Sequence, residues 1–386
     1  MIIWFENLVG KENVSEELAD RIVYGTDASQ IKGEAQLVVW PKTAEQVRKI
    51  VLFAKRNELN LIVRGGGSNL VGCCVAKGDI VLDLSKMNKV LEAKDDYIIV
   101  EPGVVVGDLN KRLKNMFFPV VPINSEIRTI GGMIGVNALS AMGIRYGGMD
   151  DWVSELEFID GSAKLRKIEG KDVKDFFGTE GTVGIVVKAK LKLAPIISNR
   201  SVDLLEFDSL EDLMEKVIEL RKSKNVLALE FINEAAAEFC NLENKDYLIV
   251  EYEGAEGENK GKREMENILS IAKGISVALS AEGYVVREDP KLPLVNIIEF
   301  LYWLRDNGIP ASGHIGVGII HTHFKRSSEL VGEMRKFAVK LKGKLYSEDG
   351  VGLLKKDIVK KEFVDKIKKL KESYDPKNLL NKEKIC

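Results

Sequence analysis

The run TIGGMIGVNALSAMGIRYGG, residues 129–148, carries one charge, Arg145, and strings glycine, alanine and serine along its whole length. A turn needs one or two glycines, not a stretch like this. Small side chains let a backbone lie flat against an extended or planar ligand that bulky ones would hold away. Two other segments share the texture. RGGGSNLVG, residues 64–72, follows a β-type run. Its consecutive glycines permit positive φ and remove the Cβ atoms that would keep a phosphate from converging backbone N–H groups. It is neither a GxGxxG fingerprint nor a Walker A loop, and a tight structural turn accounts for it equally well. FFGTEGTVGIV, residues 176–186, adds Gly178, Gly181 and Gly184 with Thr179 and Thr182. Three permissive segments in the first half of the chain fit a cofactor that spans a domain.

The rest of the composition narrows the class. With 386 residues, 45% apolar and 30% charged, the chain is long enough for two or three domains and too apolar for disorder. A net charge of -2 and a pI near 6.1 give no reason to expect nucleic acid as a partner. Glu6 interrupts the N-terminal apolar stretch, no basic region precedes it, and no charge-free run reaches membrane-spanning length. The expectation is a cytoplasmic protein, peripheral at a membrane only through a partner. Cys73, Cys74, Cys240 and Cys386 form no CxxC pair, so they read as reduced thiols.

Outward from the glycine segments, Thr43 and Gln46 form a capping box ahead of Val47, Ile50, Val51 and Ala54, which predicts a helix over 43–57. LNLIVRGGG, IVLDLSKM and YIIVEPGV read as strands, and ELEFIDGSAKLRKI as a hairpin about Asp160-Gly161. Pro195 ends an alternating strand and marks the first domain boundary. Beyond it the order β, helix, β, β, helix predicts an α+β module with its helices on one face of a sheet. DIVKKEFVDKIKKLKESYDP, near the C-terminus, places apolar residues at helical spacing between lysines. Its basic face reads as solvated or as a surface for an anionic membrane or partner.

"GHIGVGIIHTHF", residues 313–324, holds all three histidines of the chain. Such a cluster suggests a metal or proton-transfer site, against polar residues satisfied on a strand edge. If IIHTHF is a strand, His321 and His323 share a face.

The order and spacing of PKTAEQVRKIVLFAKRNELNLIVRGGGSNLVG, VPINSEIRTIGGMIGVNALSAMGIRYGGMDDWV and FFGTEGTVGIVVKAKLKLAP resemble the FAD-binding domain of the vanillyl-alcohol-oxidase and p-cresol-methylhydroxylase (PCMH) superfamily. GHIGVGIIH, YSEDGVG and YDPKNLLNKEKI are similar to its GHxGDGNxH, EHGxG and DPxxxLNPGK patterns, which narrows the resemblance to the D-lactate dehydrogenase and glycolate oxidase GlcD-type branch. It covers nearly the whole chain. It implies an α+β fold with a two-part PCMH-type FAD-binding domain at 1–195, an inserted ferredoxin-like substrate cap at 196–330, and a C-terminal segment, 331–386, that returns to the FAD domain.

The resemblance also implies site residues. Arg64, Gly65, Gly66, Gly67, Ser68 and Asn69 would cradle the FAD pyrophosphate. Thr129, Gly131, Gly132, Asn137, Ala138, Ser140, Gly143 and Tyr146 would lie along the cofactor, and Gly181, Ile185 and Val186 at its adenine or ribose side. No histidine precedes His314, so the flavin would be held noncovalently. His314, His321 and Glu348 would ligate one divalent ion, zinc, manganese or iron. Val317, Ile319 and Asp349 depart from the family's pattern, and Asp349 stands where a catalytic histidine is usual. His323 is then a fourth ligand or the base, with Asp349 the alternative base. Arg287 falls where a basic residue meets the substrate carboxylate, unless it pairs with Glu288 or Asp289.

The implied activity is FAD-dependent oxidation of a small D-2-hydroxy acid, of the D-lactate or glycolate class, to the 2-oxo acid by hydride transfer to flavin N5. Electrons would leave to a quinone, an electron-transfer flavoprotein or an iron-sulfur subunit, since no cluster-binding cysteine run is present. The altered motifs leave a second reading: a noncatalytic or electron-relaying flavin-binding subunit of an oxidoreductase complex.

Overall fold

Thr43 opens the first long helix of the computed structural model, which describes residues 1–259 and 261–386. Its hydroxyl accepts the Gln46 amide at 3.2 Å, and helix Ala44–Asn57 buries Val47, Ile50, Val51 and Ala54. The Gln46 side chain reaches the Lys42 amide at 2.7 Å, one residue earlier than a reciprocal capping box would place it. This helix joins two strands, Leu37–Val39 and Leu61–Arg64, that lie parallel on either side of Ile80–Asp83. Parallel strands need such a crossover, because a tight turn can join only antiparallel neighbours. Leu61–Arg64 is an edge strand of this four-stranded sheet, and the 64–72 glycine loop leaves from its C-terminal end.

A second sheet runs in the order Val90–Ala93, Tyr97–Val100, Gly184–Lys192, Val153–Asp160, Leu165–Glu169. The expected hairpin at Asp160 is present, and its turn is longer than a two-residue one: Ile159 pairs with Leu165, and the Asp160 carboxylate accepts the amides of Ser162 and Lys164 at 2.9 Å each. Central strand Gly184–Lys192 has both faces buried. Ile185 and Val187 pack toward the first sheet with Leu37, Ile80 and Leu82, whereas Val186, Ala189 and Leu191 pack toward helix Ile130–Val136.

After Ala194–Pro195 the chain enters a six-stranded antiparallel sheet ordered Arg200–Phe207, Asp246–Glu253, Val226–Ile232, Ala311–Gly313, His321–Phe324, Val286–Glu288. Helices cover both of its faces, not one as expected. Leu210–Leu220, Ile297–Asp306 and Leu330–Lys340 pack on the side of Phe231, Leu248 and Val250, and Lys262–Ala281 on the side of Ile232, Tyr247 and Ile249. The reason is in the strands: Val226–Ile232 is buried at every position, and a strand without alternation needs cover on both sides.

Helix Leu330–Lys340 joins the core of this six-stranded sheet through Met334 and Ala338, and the chain rejoins the half that carries the glycine segments further on, where Leu380 enters the core between the first two sheets. The last helix, Lys361–Tyr374, buries one lysine of its basic face. Lys371 Nζ donates to the carbonyls of Thr182 and Leu380 at 2.8 and 2.7 Å and to Asp375 at 3.0 Å.

Candidate active site

The glycine segments converge. A cavity with about 860 Å³ of empty volume lies between strand Leu61–Arg64, the N-terminal part of helix Ile130–Val136 and the start of strand Gly184–Lys192. Arg64, Gly65, Gly66, Gly67, Ser68, Asn69, Thr129, Gly131, Gly132, Gly181 and Val186 all line it. The glycines are needed for close approach. A Cβ on Gly66 would stand 2.0 Å from the Ile127 carbonyl oxygen, and one on Gly65 would stand 2.3 Å from Thr129 Oγ1. The Arg64 guanidinium folds back over its own loop, donating to Asp83 at 3.3 Å and lying over the Tyr24 ring.

Other expected contacts lie elsewhere. Asn137 lines a neighbouring cavity that shares Val136 and Glu180 with the first. Ala138 and Ile185 are fully buried in the core, Ser140 is buried with its hydroxyl unpartnered among the described residues, and Tyr146 packs edge-on to Phe117 and Trp152. Gly143 faces Val317 of the cap, within 3.5 Å of where its Cβ would be.

Cys73 and Cys74 also line the first cavity. Burial, reinforced by Glu180 beside Cys73 and by Asp27 beside Cys74, pushes both thiols up, that of Cys74 to about 12. They are protonated and unreactive at neutral pH.

The histidines form a second centre. Strand His321–Phe324 pairs with Ala311–Gly313, which sets His321 opposite Ser312 and leaves His314 just past the strand end. One ligand atom from each of His314, His321 and Glu348 falls within 4.8 Å of the others, and all three side chains are buried. Glu348 Oε2 is 3.3 Å from His314 Nε2 and 3.4 Å from His321 Nε2. Among the described residues, Glu348 Oε2 and both ring nitrogens of His321 make no hydrogen bond. Buried polar atoms left open and aimed at one point fit a bound cation.

His314 is oriented from behind. Its Nδ1 meets Glu230 Oε1 at 2.6 Å, the carboxylate-histidine pairing that fixes the ring of a metal ligand. Burial alone would lower the His314 pKa, but Glu230 and then Glu348 outweigh it and raise it to about 10. Burial would raise the Glu348 carboxyl, but His314 and His321 beside it hold it well below its usual range.

Arg287 and Asp349 find each other. Arg287 Nε and Nη2 reach the two carboxylate oxygens of Asp349 at 3.1 and 2.5 Å. Burial opposes both charges, yet the pairing keeps the Asp349 carboxyl down and the Arg287 guanidinium up. Directly across the strands from Arg287 stands His323, with its Nε2 buried and unpartnered among the described residues. Burial, then the charges of Arg287 and His321, lower its pKa to about 3, so it is a neutral imidazole.

Three functional contacts escape a reading of the sequence. Glu230 is the single carboxylate in the apolar strand VLALEFI, and that isolation was its signal. Glu180, at positive φ, accepts the Val351 and Gly352 amides at 2.5 and 2.8 Å and so ties the segment after Glu348 to the cavity wall. Arg128, next to Thr129, lies 3.6 Å from Glu348 Oε1 and lines the first cavity. Nothing in SEIRTIGG distinguishes it from a surface arginine.

Known proteins confirm the architecture. Residues 35–169 match the FAD binding domain family, and residues 197–312 and 309–385 match the C-terminal domain of FAD linked oxidases. The chain is 28% identical to the glycolate oxidase subunit GlcD of Bacillus subtilis (strain 168), over 97% of this chain and 94% of that protein. It is 27% identical to the D-lactate dehydrogenase of Archaeoglobus fulgidus, over 90% and 91%, and 25% identical to the D-2-hydroxyglutarate dehydrogenase of Stutzerimonas stutzeri, over 94% and 93%. In fold it resembles an alkyldihydroxyacetonephosphate synthase structure, with a TM-score of 0.75 and 16% identity over 99% of this chain and 84% of that one. With both domains matched and the glycine cavity formed, the chain belongs to the FAD-linked oxidases of the vanillyl-alcohol-oxidase/PCMH superfamily, in the GlcD and D-lactate dehydrogenase branch, and is an FAD-binding oxidoreductase.

Proposed function

We propose that the protein oxidises a small D-2-hydroxy acid, of the D-lactate or glycolate class, to the 2-oxo acid and passes the electrons to a separate acceptor. The observation that carries this reading is the buried triad His314, His321 and Glu348, braced by Glu230 and adjoining the flavin cavity through Arg128. The three curated relatives above bear the names of enzymes of three such acids. A divalent ion held by the triad would polarise the substrate hydroxyl and lower its pKa, and FAD in the glycine cavity would accept the hydride from C2.

The remaining tasks fall to this chain's side chains. His323 Nε2, unpartnered among the described residues, takes the hydroxyl proton as the electron pair of the C2–H bond leaves, so that the C–O bond becomes a carbonyl; with its pKa lowered to about 3 it is a weak base, so this transfer depends on the hydroxyl being acidified first. The Arg287–Asp349 pair fills the wall beside His323 with a closed ion pair; burial and then the Arg287 charge hold the imidazole neutral, and the pairing keeps Asp349 from competing for that proton. The glycine segments around Arg64–Asn69 and Thr129–Gly132 would hold FAD, which would supply the two-electron relay to an iron-sulfur subunit, an electron-transfer flavoprotein or a quinone. Among the described residues no helix is long and apolar enough to cross a membrane.

The test is anaerobic bleaching of the oxidised holoprotein by D-lactate, glycolate and D-2-hydroxyglutarate, with the ion content measured beside it. Bleaching by one of them, lost with the ion in Glu348→Ala, is the expected result. A flavin that stays oxidised with all three, and is reduced only through a co-purifying iron-sulfur partner, would show an electron-relaying subunit instead.

A further inference from the structure

Arg128 stands where the two halves of the site meet. It lines the flavin cavity, its side chain is 11% exposed, and its Nη2 is 3.6 Å from Glu348 Oε1. Asn124 Oδ1 accepts its Nε at 2.5 Å, which fixes the plane of the guanidinium. Its terminal nitrogens make no hydrogen bond among the described residues. The Glu348 contact is too long for one and leaves only a charge interaction. A guanidinium gripped at Nε by a neutral amide, with its Nη1–Nη2 edge open, is a receptor for a carboxylate in bidentate geometry.

Arg287 is poorly placed for that work, since Asp349 already occupies its Nε and Nη2. Placement also favours Arg128. A 2-hydroxy acid carries its hydroxyl and carboxylate on adjacent carbons, so the carboxylate must be held directly beside whatever takes the hydroxyl. Arg128 adjoins Glu348 of the triad on one side and the flavin cavity on the other. Its backbone is also fixed: the Arg128 carbonyl accepts the Val106 amide at 3.0 Å, and Thr129 caps helix Ile130–Val136.

We propose that Arg128 binds the substrate carboxylate and thereby selects 2-hydroxy acids over neutral alcohols, an inference that rests on the hydroxy-acid reading above. The anchor is then supplied by the FAD-binding half of the chain, not by the cap. Pyruvate tests it without turnover, because it keeps the carboxylate and has no C2 hydride to lose. Pyruvate is titrated into oxidised, FAD-loaded wild type, Arg128→Gln and Arg128→Lys, read by calorimetry and by perturbation of the flavin spectrum. FAD and metal contents are measured on the same samples.

Loss of a charge-assisted bidentate contact predicts affinity about 30-fold weaker in Arg128→Gln, with FAD and metal retained. Arg128→Lys, which keeps the charge beside Glu348, should recover part of it. Pyruvate binding within about threefold of wild type in both variants would overturn the proposal. So would wild type that does not bind pyruvate, or variants that shed FAD, which would make Arg128 a cofactor contact. If pyruvate binds through Arg128 while no hydroxy acid bleaches the flavin, the anchor stands and the proposed reaction falls.

Discussion

Glu230 is a buried carboxylate on a strand whose other six residues are apolar, and His314 answers it at 2.6 Å. That pairing has a pH signature. With its pKa near 10, metal-free His314 is protonated at neutral pH, and an incoming cation must displace that proton. Cobalt(II) affinity, measured by competition with a chromophoric chelator, should therefore tighten about tenfold per unit between roughly pH 6 and 8. Glu230→Gln removes the charge that raises the pKa, so its profile should be flatter. A wild-type profile with no slope would refute the assignment. The sign for folding is opposite. Because the folded pKa lies above the unfolded one, this proton stabilises the metal-free protein fully below about pH 6.5, and the contribution fades as the pH rises through about 10. At this scale the histidines and Glu348 were legible because they lie in short, recognisable motifs. Glu230 and Arg128 were not, because their partners are 84 and 220 residues away and only the fold joins them.

Among elements, the segment Ser347–Gly352 matters most, since it carries Glu348 and Asp349 and has no regular structure of its own. Two buried carboxylates string it in place. Asp289 Oδ2 accepts the Ser347 amide, the Ser347 hydroxyl and the Asp349 amide at 3.1, 3.0 and 2.9 Å, and Glu180 holds Val351 and Gly352. Asp289 is neutralised by Lys355, itself buried. Removing one member of a buried ion pair strands the other, so Lys355→Met should cost about 3–5 kcal/mol in denaturant unfolding. The double variant with Asp289→Asn should lose less than the sum of the two single losses. A Lys355→Met loss below about 1 kcal/mol would mean that Asp289 finds water or another cation. Gly350 is the matching backbone device. It sits at φ 82°, and a Cβ there would meet Glu180 Oε1 at 2.5 Å, so Gly350→Ala should lower the thermal midpoint and weaken cobalt(II) binding together. An unchanged cobalt affinity would separate this turn from the cation site. Elements with a local code were legible: helix Ala44–Asn57 announced itself by its cap and apolar spacing, and the Asp160 hairpin by its turn residues. The helix layers on both faces of the cap sheet were not, because a strand apolar at all but one position, such as VLALEFI, reads alike whether one cover or two awaits it.

At the scale of the whole molecule, the flavin cavity is closed by the far end of the chain. Leu61–Arg64 is an edge strand, and its open side is taken by residues 379–381: the Leu61 amide donates to the Leu379 carbonyl, the Asn381 amide to the Leu61 carbonyl, and the Val63 amide to Asn381 Oδ1, at 2.9, 2.9 and 2.7 Å. The Asn381 side-chain amide then reaches the Glu180 carbonyl at 2.6 Å, and Asn381, Val63, Glu180 and Gly181 all line the cavity. One side chain thus clamps two walls of the cofactor site that are 117 residues apart in sequence, from a position 201 residues beyond the nearer. Asn381→Ala leaves a partly buried amide and a buried carbonyl without this partner, which should cost about 1–3 kcal/mol in the flavin-free protein. The more telling readout is the coupling to FAD. A ligand at 100 times its dissociation constant stabilises a protein by about 2.7 kcal/mol, so equal excess FAD should raise the wild-type thermal midpoint clearly. If Asn381 shapes the cavity, the variant's FAD-dependent rise should shrink at the same FAD concentration, and flavin fluorescence titration should show weaker binding. Cobalt(II) affinity should stay put, because the triad is held by the cap strands and by Asp289. A variant that is less stable yet gains as much from FAD as wild type would show that Asn381 holds the chain together without shaping the cofactor's site.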